Sequence, residues 1–147
     1  MIHIVPMENH HVPQVAALEK QCFSEPWSKN SVASELSNPL SAWLVAMDGD
    51  ALAGYVGSQS VMGESDMMNI AVDAHYRRQG IAQALVKELV AQLKEKGNHS
   101  LTLEVRISNQ PAIALYEKLG FVQVGKRPNY YRNPKEDALI LRKEWQL

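Results

Sequence analysis

The stretch from Met67 to Gly97 constrains the fold more than any other part of the chain. It opens with the short, mostly apolar segment Met67–Val72, which lacks Gly and Pro and is typical of a buried strand. From Ile81 onward apolar residues recur at helical spacing, and Gly97 stands just past the last apolar turn, where a helix end favours glycine. The sequence therefore predicts a strand, a loop and a long helix in direct succession.

The loop between this strand and helix is basic and contains one glycine. Arg77 and Arg78 supply positive charge, and Gly80 has no side chain to keep an anion away from the backbone. The first amides of a helix lack intrahelical partners and lie at the positive end of its dipole, which suits phosphate. A solvated basic turn before a surface helix explains the same residues equally well. A P-loop is excluded because no Gly-Lys-Ser/Thr follows, and one glycine is too few for a dinucleotide fingerprint.

Several short motifs surround this loop. The loop itself reads Arg77-x-x-Gly80-x-Ala82. The others are Asn69–Val72, Leu103–Arg106, Ser108–Asn109 and Ala114–Phe121. In these motifs the chain resembles the GNAT acetyltransferase superfamily, whose pyrophosphate loop is Gln/Arg-x-x-Gly-x-Gly/Ala, and it is similar to the bacterial ribosomal-protein-alanine N-acetyltransferases. The resemblance covers nearly the whole chain, and its one departure is Ala82 in place of the commoner loop glycine.

The resemblance implies an enzyme that transfers the acetyl group of acetyl-CoA to the N-terminal α-amine of a protein. It further implies that the acceptor is the N-terminal alanine of a small-subunit ribosomal protein. Two other hypotheses stay open, namely a GNAT enzyme of broader N-terminal or small-amine specificity and a non-catalytic acetyl-CoA-binding module. A candidate base and a candidate acid argue against the module.

The candidate base is Glu104. A carboxylate can accept the proton of an α-ammonium group, whose pKa is about 8. Glu104 sits near the end of a predicted strand, where parallel α/β sheets place their sites, and strand alternation turns it away from Leu103 and Val105. From the residues alone, a salt bridge to Arg106 on the same face explains Glu104 equally well, whereas the resemblance implies the general base.

The candidate acid is Tyr116, which lies on the apolar face of a predicted helix, as a buried core tyrosine would. The resemblance implies that it protonates the leaving thiolate of coenzyme A. A phenol with a pKa of about 10 can donate to a thiolate whose thiol has a pKa of about 8.5. Asn109 is expected to cap the same helix and, by the resemblance, to hydrogen-bond the cofactor.

The resemblance also implies two sets of binding residues. Pantetheine carries amides and can pair with a strand through backbone groups, as a peptide would. The expected cofactor contacts are Ile70, Ala71, Val72, Arg77, Arg78, Gln79, Gly80, Ile81, Ala82, Asn109 and Tyr116. The expected acceptor contacts are Trp27, Asn69, Tyr130 and Tyr131. For the aromatic residues of the second set, turn packing and a surface cluster are equally good explanations.

Composition limits the remaining functions. A chain of 147 residues with 46% hydrophobic residues suits one globular domain, here residues 1–147. The net charge of −1 argues against direct nucleic-acid binding, and neither a membrane-spanning run nor a signal peptide is expected. The lone Cys22 fits a reducing cytoplasm. The five histidines follow no zinc-ligand spacing, so no metal is expected.

The remaining patterns predict an α/β protein in the order β-α-α-β-β-β-α-β-α-β-β. This is a mixed sheet of about seven strands with helices on both faces, as in the GNAT fold. Asn9 is expected to cap a helix from Val12 to about Phe23. Ser28 is expected to cap a second helix that reaches Leu36, with Leu36 facing inward.

Four further expectations concern turns and packing. Gly63–Asp66 reads as a turn, and Gly54 and Gly57 mark either a bulge or a close packing contact. The Tyr130-Tyr131 pair is expected in a polar loop between the last two strands. The inward face of the last helix is expected to consist of Ala112, Leu115, Tyr116 and Leu119.

Overall fold

Seven strands form one mixed sheet in the computed structural model, which describes residues 1–147. The strands are β1 (Ile2–Pro6), β2 (Ser41–Asp48), β3 (Ala51–Val61), β4 (Glu64–Val72), β5 (Ser100–Arg106), β6 (Val122–Tyr131) and β7 (Glu136–Glu144). Their order across the sheet is β1-β2-β3-β4-β5-β7-β6. All neighbours are antiparallel except β4 and β5, which run parallel.

Four α-helices cover the two faces of this sheet. They are α1 (Val12–Cys22), α2 (Lys29–Ser34), α3 (Ile81–Glu95) and α4 (Gln110–Lys118). Alternate residues of β2 show the layering, because Trp43 and Val45 pack with α1 and α2 while Leu44 and Ala46 pack with α3 and α4. The predicted fold class and element order are thus confirmed. None of these helices has the length and apolar character needed to cross a membrane.

The parallel contact between β4 and β5 is short. It joins only Glu64–Asp66 to Ser100–Thr102. Beyond it β4 follows β3 as far as Val72, whereas β5 pairs with β7 along its whole length. The two strands therefore diverge into a wedge, in which the second half of β4 turns backbone groups toward β5 without a strand partner.

A bulge in β4 lies where the wedge begins. Gly57 of β3 faces Asn69, but the next residue, Ser58, faces Met67, so Met68 is the extra residue. Gly57 also makes a close packing contact, because a Cβ there would stand 2.3 Å from the Trp43 ring. The close packing contact therefore explains Gly57, whereas the bulge lies in the partner strand.

The first two helices begin at the predicted residues, but the cap of the first and the end of the second differ from the prediction. Asn9 does not cap a helix, because it is the first residue of a 3-10 turn, Asn9–His11. The Glu8 N–H donates to Nδ1 of His11 in this turn at 2.9 Å. Ser28 does cap α2, as predicted. The expectation that Leu36 faces inward was wrong, because the chain tightens into a 3-10 turn after Ser34, which leaves Leu36 39% exposed and buries Glu35 instead.

Two expectations about turns were also wrong, and the expectation about the inward face of α4 holds in part. Glu64–Asp66 belong to β4 because the reversal is already complete at Met62 and Gly63, which both have positive φ as in a type I′ hairpin. Tyr130 and Tyr131 belong to β6, since Tyr131 pairs with Glu136 of β7. On α4, Ile113 is buried together with Tyr116, whereas the other predicted inward residues are only partly buried, namely Ala112, Leu115 and Leu119.

Candidate active site

The loop before α3 presents a row of free backbone amides. The first hydrogen bond of the helix runs from the Ala84 N–H to the Gly80 C=O at 3.0 Å, and the N–H groups from Arg78 to Gln83 have no acceptor in the protein. Arg78 and Gly80 have φ values of +64° and +75°. At Gly80 this backbone conformation favours glycine, while no atom lies within 4 Å of the place that a Cβ would take. The amides therefore face open space at the positive end of the helix dipole.

A cavity of about 200 Å³ opens at this loop. It lies between the end of β4, the start of α3 and one residue of α4. Its lining consists of Val72, Tyr76, Arg77, Arg78, Gly80, Ile81, Ala82, Gln83 and Leu115. Arg77 bends back so that its Nε donates to the Val72 C=O at 3.4 Å, and both Arg77 and Arg78 are exposed. Most of the predicted cofactor residues of the loop thus meet at one basic cavity, but Ile70, Ala71, Gln79, Asn109 and Tyr116 are not among its lining.

Glu104 lies on β5 in the part that has left β4. Its neighbours Leu103 and Val105 are buried in the core, and Glu104 faces the other way with its side chain 25% exposed, as alternation predicts. Its carboxylate lies 3.4 Å from Nε of Arg127 on β6. The suggested ion pair with Arg106 was wrong, because Arg106 pairs with Glu136 of β7 at 3.2 Å. The candidate base is therefore an ion-paired carboxylate that still reaches solvent.

Tyr116 is 5% exposed on α4, and its ring packs edge-on against Phe121 with the centroids 5.5 Å apart. No protein group hydrogen-bonds its hydroxyl. Burial raises the pKa of Tyr116 to about 12, so the hydroxyl keeps its proton at neutral pH. Asn109 caps this helix as predicted, since its side-chain oxygen accepts from the Ala112 N–H at 3.3 Å.

The two tyrosines at the end of β6 stand beside Glu104. The rings of Tyr130 and Tyr131 are nearly perpendicular, with centroids 5.0 Å apart. The Arg106 guanidinium lies 4.4 Å from the centroid of the Tyr131 ring. Burial raises the pKa of Tyr131, and Glu104 and Tyr116 are both near enough to raise it further. Tyr131 therefore connects the regions of the two catalytic candidates.

A buried carboxylate that the sequence analysis missed joins the other two acceptor candidates. Glu19 of α1 is fully buried and accepts hydrogen bonds from the Trp27 N–H at 2.8 Å, from Asn69 Nδ2 at 2.7 Å and from the Tyr55 hydroxyl. A signal was present, because Glu19 lies four residues after Val15 and so falls on the apolar face of α1. No hydrogen bond or ring contact joins Trp27 or Asn69 to Glu104 or Tyr116.

One group of possible metal ligands lies at the start of the chain. Side-chain atoms of Glu8, His10 and His11 lie within 4.8 Å of one another. His11 already accepts the Glu8 N–H at Nδ1, so the proton of its neutral ring sits on Nε2. Neither nitrogen of His11 can bind a metal while this hydrogen bond is kept.

Comparison with known proteins agrees with this geometry. The family model described as the acetyltransferase (GNAT) family matches residues 12–121. The ribosomal protein bS18-alanine N-acetyltransferase of Escherichia coli is 37% identical over 140 residues, which cover 94% of this chain and 94% of that protein. A Bacillus subtilis protein with a provisional assignment to the same activity is 40% identical over 136 residues, covering 92% of this chain and 90% of that protein.

A solved structure extends the match to the whole fold. The crystal structure of the ribosomal-protein-S18-alanine N-acetyltransferase from Escherichia coli superposes with a TM-score of 0.92 and 35% identity, covering 100% of this chain and 96% of that one. The family model spans most of the chain, and the relatives are well above 30% identical over nearly their full lengths. The chain belongs to the GNAT family of acetyltransferases.

Proposed function

We propose that this acetyltransferase moves the acetyl group of acetyl-CoA to the N-terminal α-amine of a protein, foremost the N-terminal alanine of a small-subunit ribosomal protein. The observation that carries the proposal is the wedge between β4 and β5, with free helix amides at one end and Glu104 on the facing strand. The names of the Escherichia coli relatives support the acceptor. Residues 1–147 would act as one domain in the cytoplasm, where Cys22 stays reduced.

Coenzyme A suits the loop for two reasons. Its pyrophosphate can accept hydrogen bonds from the amides between Arg78 and Gln83, including Gln79, with Arg77 and Arg78 balancing its charge. Its pantetheine can pair with the free backbone groups of Ile70–Val72, as a peptide adds to a strand edge. Asn109 and Tyr116 would then reach the thioester end from α4.

The reaction requires the acceptor amine in its neutral form. Glu104 would take the proton from the α-ammonium, directly or through one water, because its carboxylate reaches solvent. The amine nitrogen then forms a bond to the acetyl carbon and releases its surplus proton to solvent. The carbon–sulfur bond breaks, and its electron pair leaves with the sulfur as a thiolate. Because the pKa of the amine is about 8, most of the acceptor is protonated at neutral pH, and the base contributes most there.

The role of Tyr116 follows from its raised pKa. A hydroxyl with a pKa of about 12 is a weaker acid than a thiol with a pKa of about 8.5, so complete proton transfer to the thiolate is uphill. Tyr116 would therefore donate a hydrogen bond to the sulfur as charge develops, and solvent would supply the final proton. This refines the simple proton donation that the resemblance implied.

The acceptor would enter between two groups of side chains. Trp27 and Asn69, which Glu19 links, would form one wall of the groove. Tyr130 and Tyr131 would form the other wall, beside Glu104. The terminal amine would then meet the thioester inside the wedge.

Replacement of Gly80 by Asp should weaken coenzyme A binding by about 100-fold or more, equivalent to at least about 2.7 kcal/mol. The substitution puts bulk and negative charge where the pyrophosphate should lie. Gly97→Asp is the matched control, because Gly97 also has a positive φ and open space but lies at the other end of α3. Calorimetry that gave both variants the wild-type affinity would refute the assignment.

Replacement of Glu104 by Gln should lower kcat by about 10²–10⁴-fold at neutral pH, the usual contribution of a general base. Raising the pH should restore part of the activity, because more of the acceptor is then already neutral. Glu88→Gln, on the exposed side of α3, is the control. Normal turnover by Glu104→Gln at pH 7 would leave Glu104 as a structural partner of Arg127.

Replacement of Tyr116 by Phe should lower kcat without any recovery at high pH, because the lost hydrogen bond is to the sulfur and not to the amine. The ring packing against Phe121 is kept, so coenzyme A affinity and thermal stability should stay near those of the wild type. A pH–rate profile for this variant that matched the profile of Glu104→Gln would contradict the separate roles.

The acceptor should be an α-amine rather than a lysine side chain. Mass spectrometry of an alanine-initiated peptide with one internal lysine should locate the acetyl group on the terminus. The same peptide with a blocked terminus is the control and should remain unmodified. Predominant modification of lysine in either peptide would overturn the proposed function.

A further inference from the structure

We infer that Glu19 is the positioning residue of the acceptor groove, and that its buried carboxylate holds Trp27 and Asn69 in fixed relation to each other. The inference rests on the proposed function, because the groove is defined by the acceptor that it receives. Glu19 itself lies beneath the groove and touches no reacting atom.

The carboxylate joins segments that are distant in the chain. One oxygen accepts from the Trp27 N–H, in the loop between α1 and α2. The other accepts from Asn69 Nδ2 of β4 and from the Tyr55 hydroxyl of β3. A helix, a loop and two strands therefore meet at one side chain.

Asn69 is the residue that most needs such a partner. It follows the bulged residue Met68, and a bulge disrupts the hydrogen-bond ladder and increases the local twist. The neighbouring ladder therefore fixes the direction of the Asn69 side chain only weakly, whereas the 2.7 Å hydrogen bond to Glu19 fixes it directly. Ile70–Val72, the proposed pantetheine contacts, come next in the strand.

The chemistry of Glu19 indicates more than a packing role. It is fully buried, and no basic side chain lies within 4.0 Å of its carboxylate. An apolar residue on this face of α1 would fill the space without the cost of burying a carboxylate. What an apolar residue cannot provide is an acceptor for three donors at once.

A glutamine at this position cannot replace the network. Its amide has one accepting oxygen, so if that oxygen keeps the Trp27 N–H, its NH₂ group faces Nδ2 of Asn69. Two donors then meet, and Asn69 has to turn its own amide over. The groove would keep its size but present a changed hydrogen-bonding surface.

Steady-state kinetics of Glu19→Gln should show this change. The KM for an alanine-initiated peptide should rise by about tenfold or more, while the KM for acetyl-CoA should stay within about twofold. Glu35→Gln is the matched control, since Glu35 is also buried and accepts from Gln59 at 2.6 Å and Asn38 at 3.2 Å. It contacts no proposed site residue, so both KM values should stay near those of the wild type.

A second measurement does not depend on activity. Hydrogen exchange of the Trp27 amide, followed by NMR, should accelerate about tenfold or more in Glu19→Gln but not in Glu35→Gln, because only the first variant replaces the carboxylate acceptor of this amide by a weaker neutral one. If Glu19→Gln does not fold, Tyr55→Phe removes one of the three hydrogen bonds and should show a smaller effect in the same direction.

The outcomes separate this inference from the proposed function. A wild-type protein that acetylates no peptide N-terminus would refute the proposed function, and the exchange data would still decide whether Glu19 holds Trp27. Wild-type exchange at Trp27 in Glu19→Gln, or equal kinetic changes in Glu19→Gln and Glu35→Gln, would overturn the positioning role.

Discussion

The parallel ladder between β4 and β5 spans only three residue pairs, and the site depends on where it stops. A longer ladder would use up the backbone groups of Ile70–Val72 and close the space between the strands. The bulge at Met68 comes two residues after the last pair and turns β4 away. Pairing with β7 along its whole length holds β5 on the opposite side of the wedge from β4. The wedge is thus a gap that the sheet maintains, with the catalytic candidates along its walls.

The helix that ends the wedge is held by its apolar face. Leu85, Leu89 and Leu93 of α3 are essentially inaccessible to solvent in the core. The loop before α3 therefore starts from a fixed helix end, and its free amides are oriented before any anion arrives. Binding then costs less ordering of the backbone than a flexible loop would require.

Local signals predicted the strand, loop and helix around Gly80, the cap at Asn109 and the direction of Glu104. Each depends on neighbours within a few residues. The wrong expectations depend on distant pairing. Arg106 pairs with Glu136 because β7 lies directly beside β5, and Arg127 of β6 reaches Glu104 across β7, an arrangement that the sequence order does not reveal. Glu19 was missed because its three donors come from separate segments. The catalytic and binding roles of the site residues stay predictions.

The close contact of Trp43 with Gly57 has a consequence for redesign of the proposed acceptor groove. The Trp43 ring occupies the volume that a side chain at position 57 would need, and it stacks on Tyr55 while Trp27 meets it edge-on. Positions 43 and 57 are therefore coupled, and a larger residue at one of them requires a smaller residue at the other. A library of variants at position 27 alone leaves Trp43, which packs against Trp27, in place. A side chain introduced at position 57 displaces the Trp43 ring unless position 43 is varied at the same time.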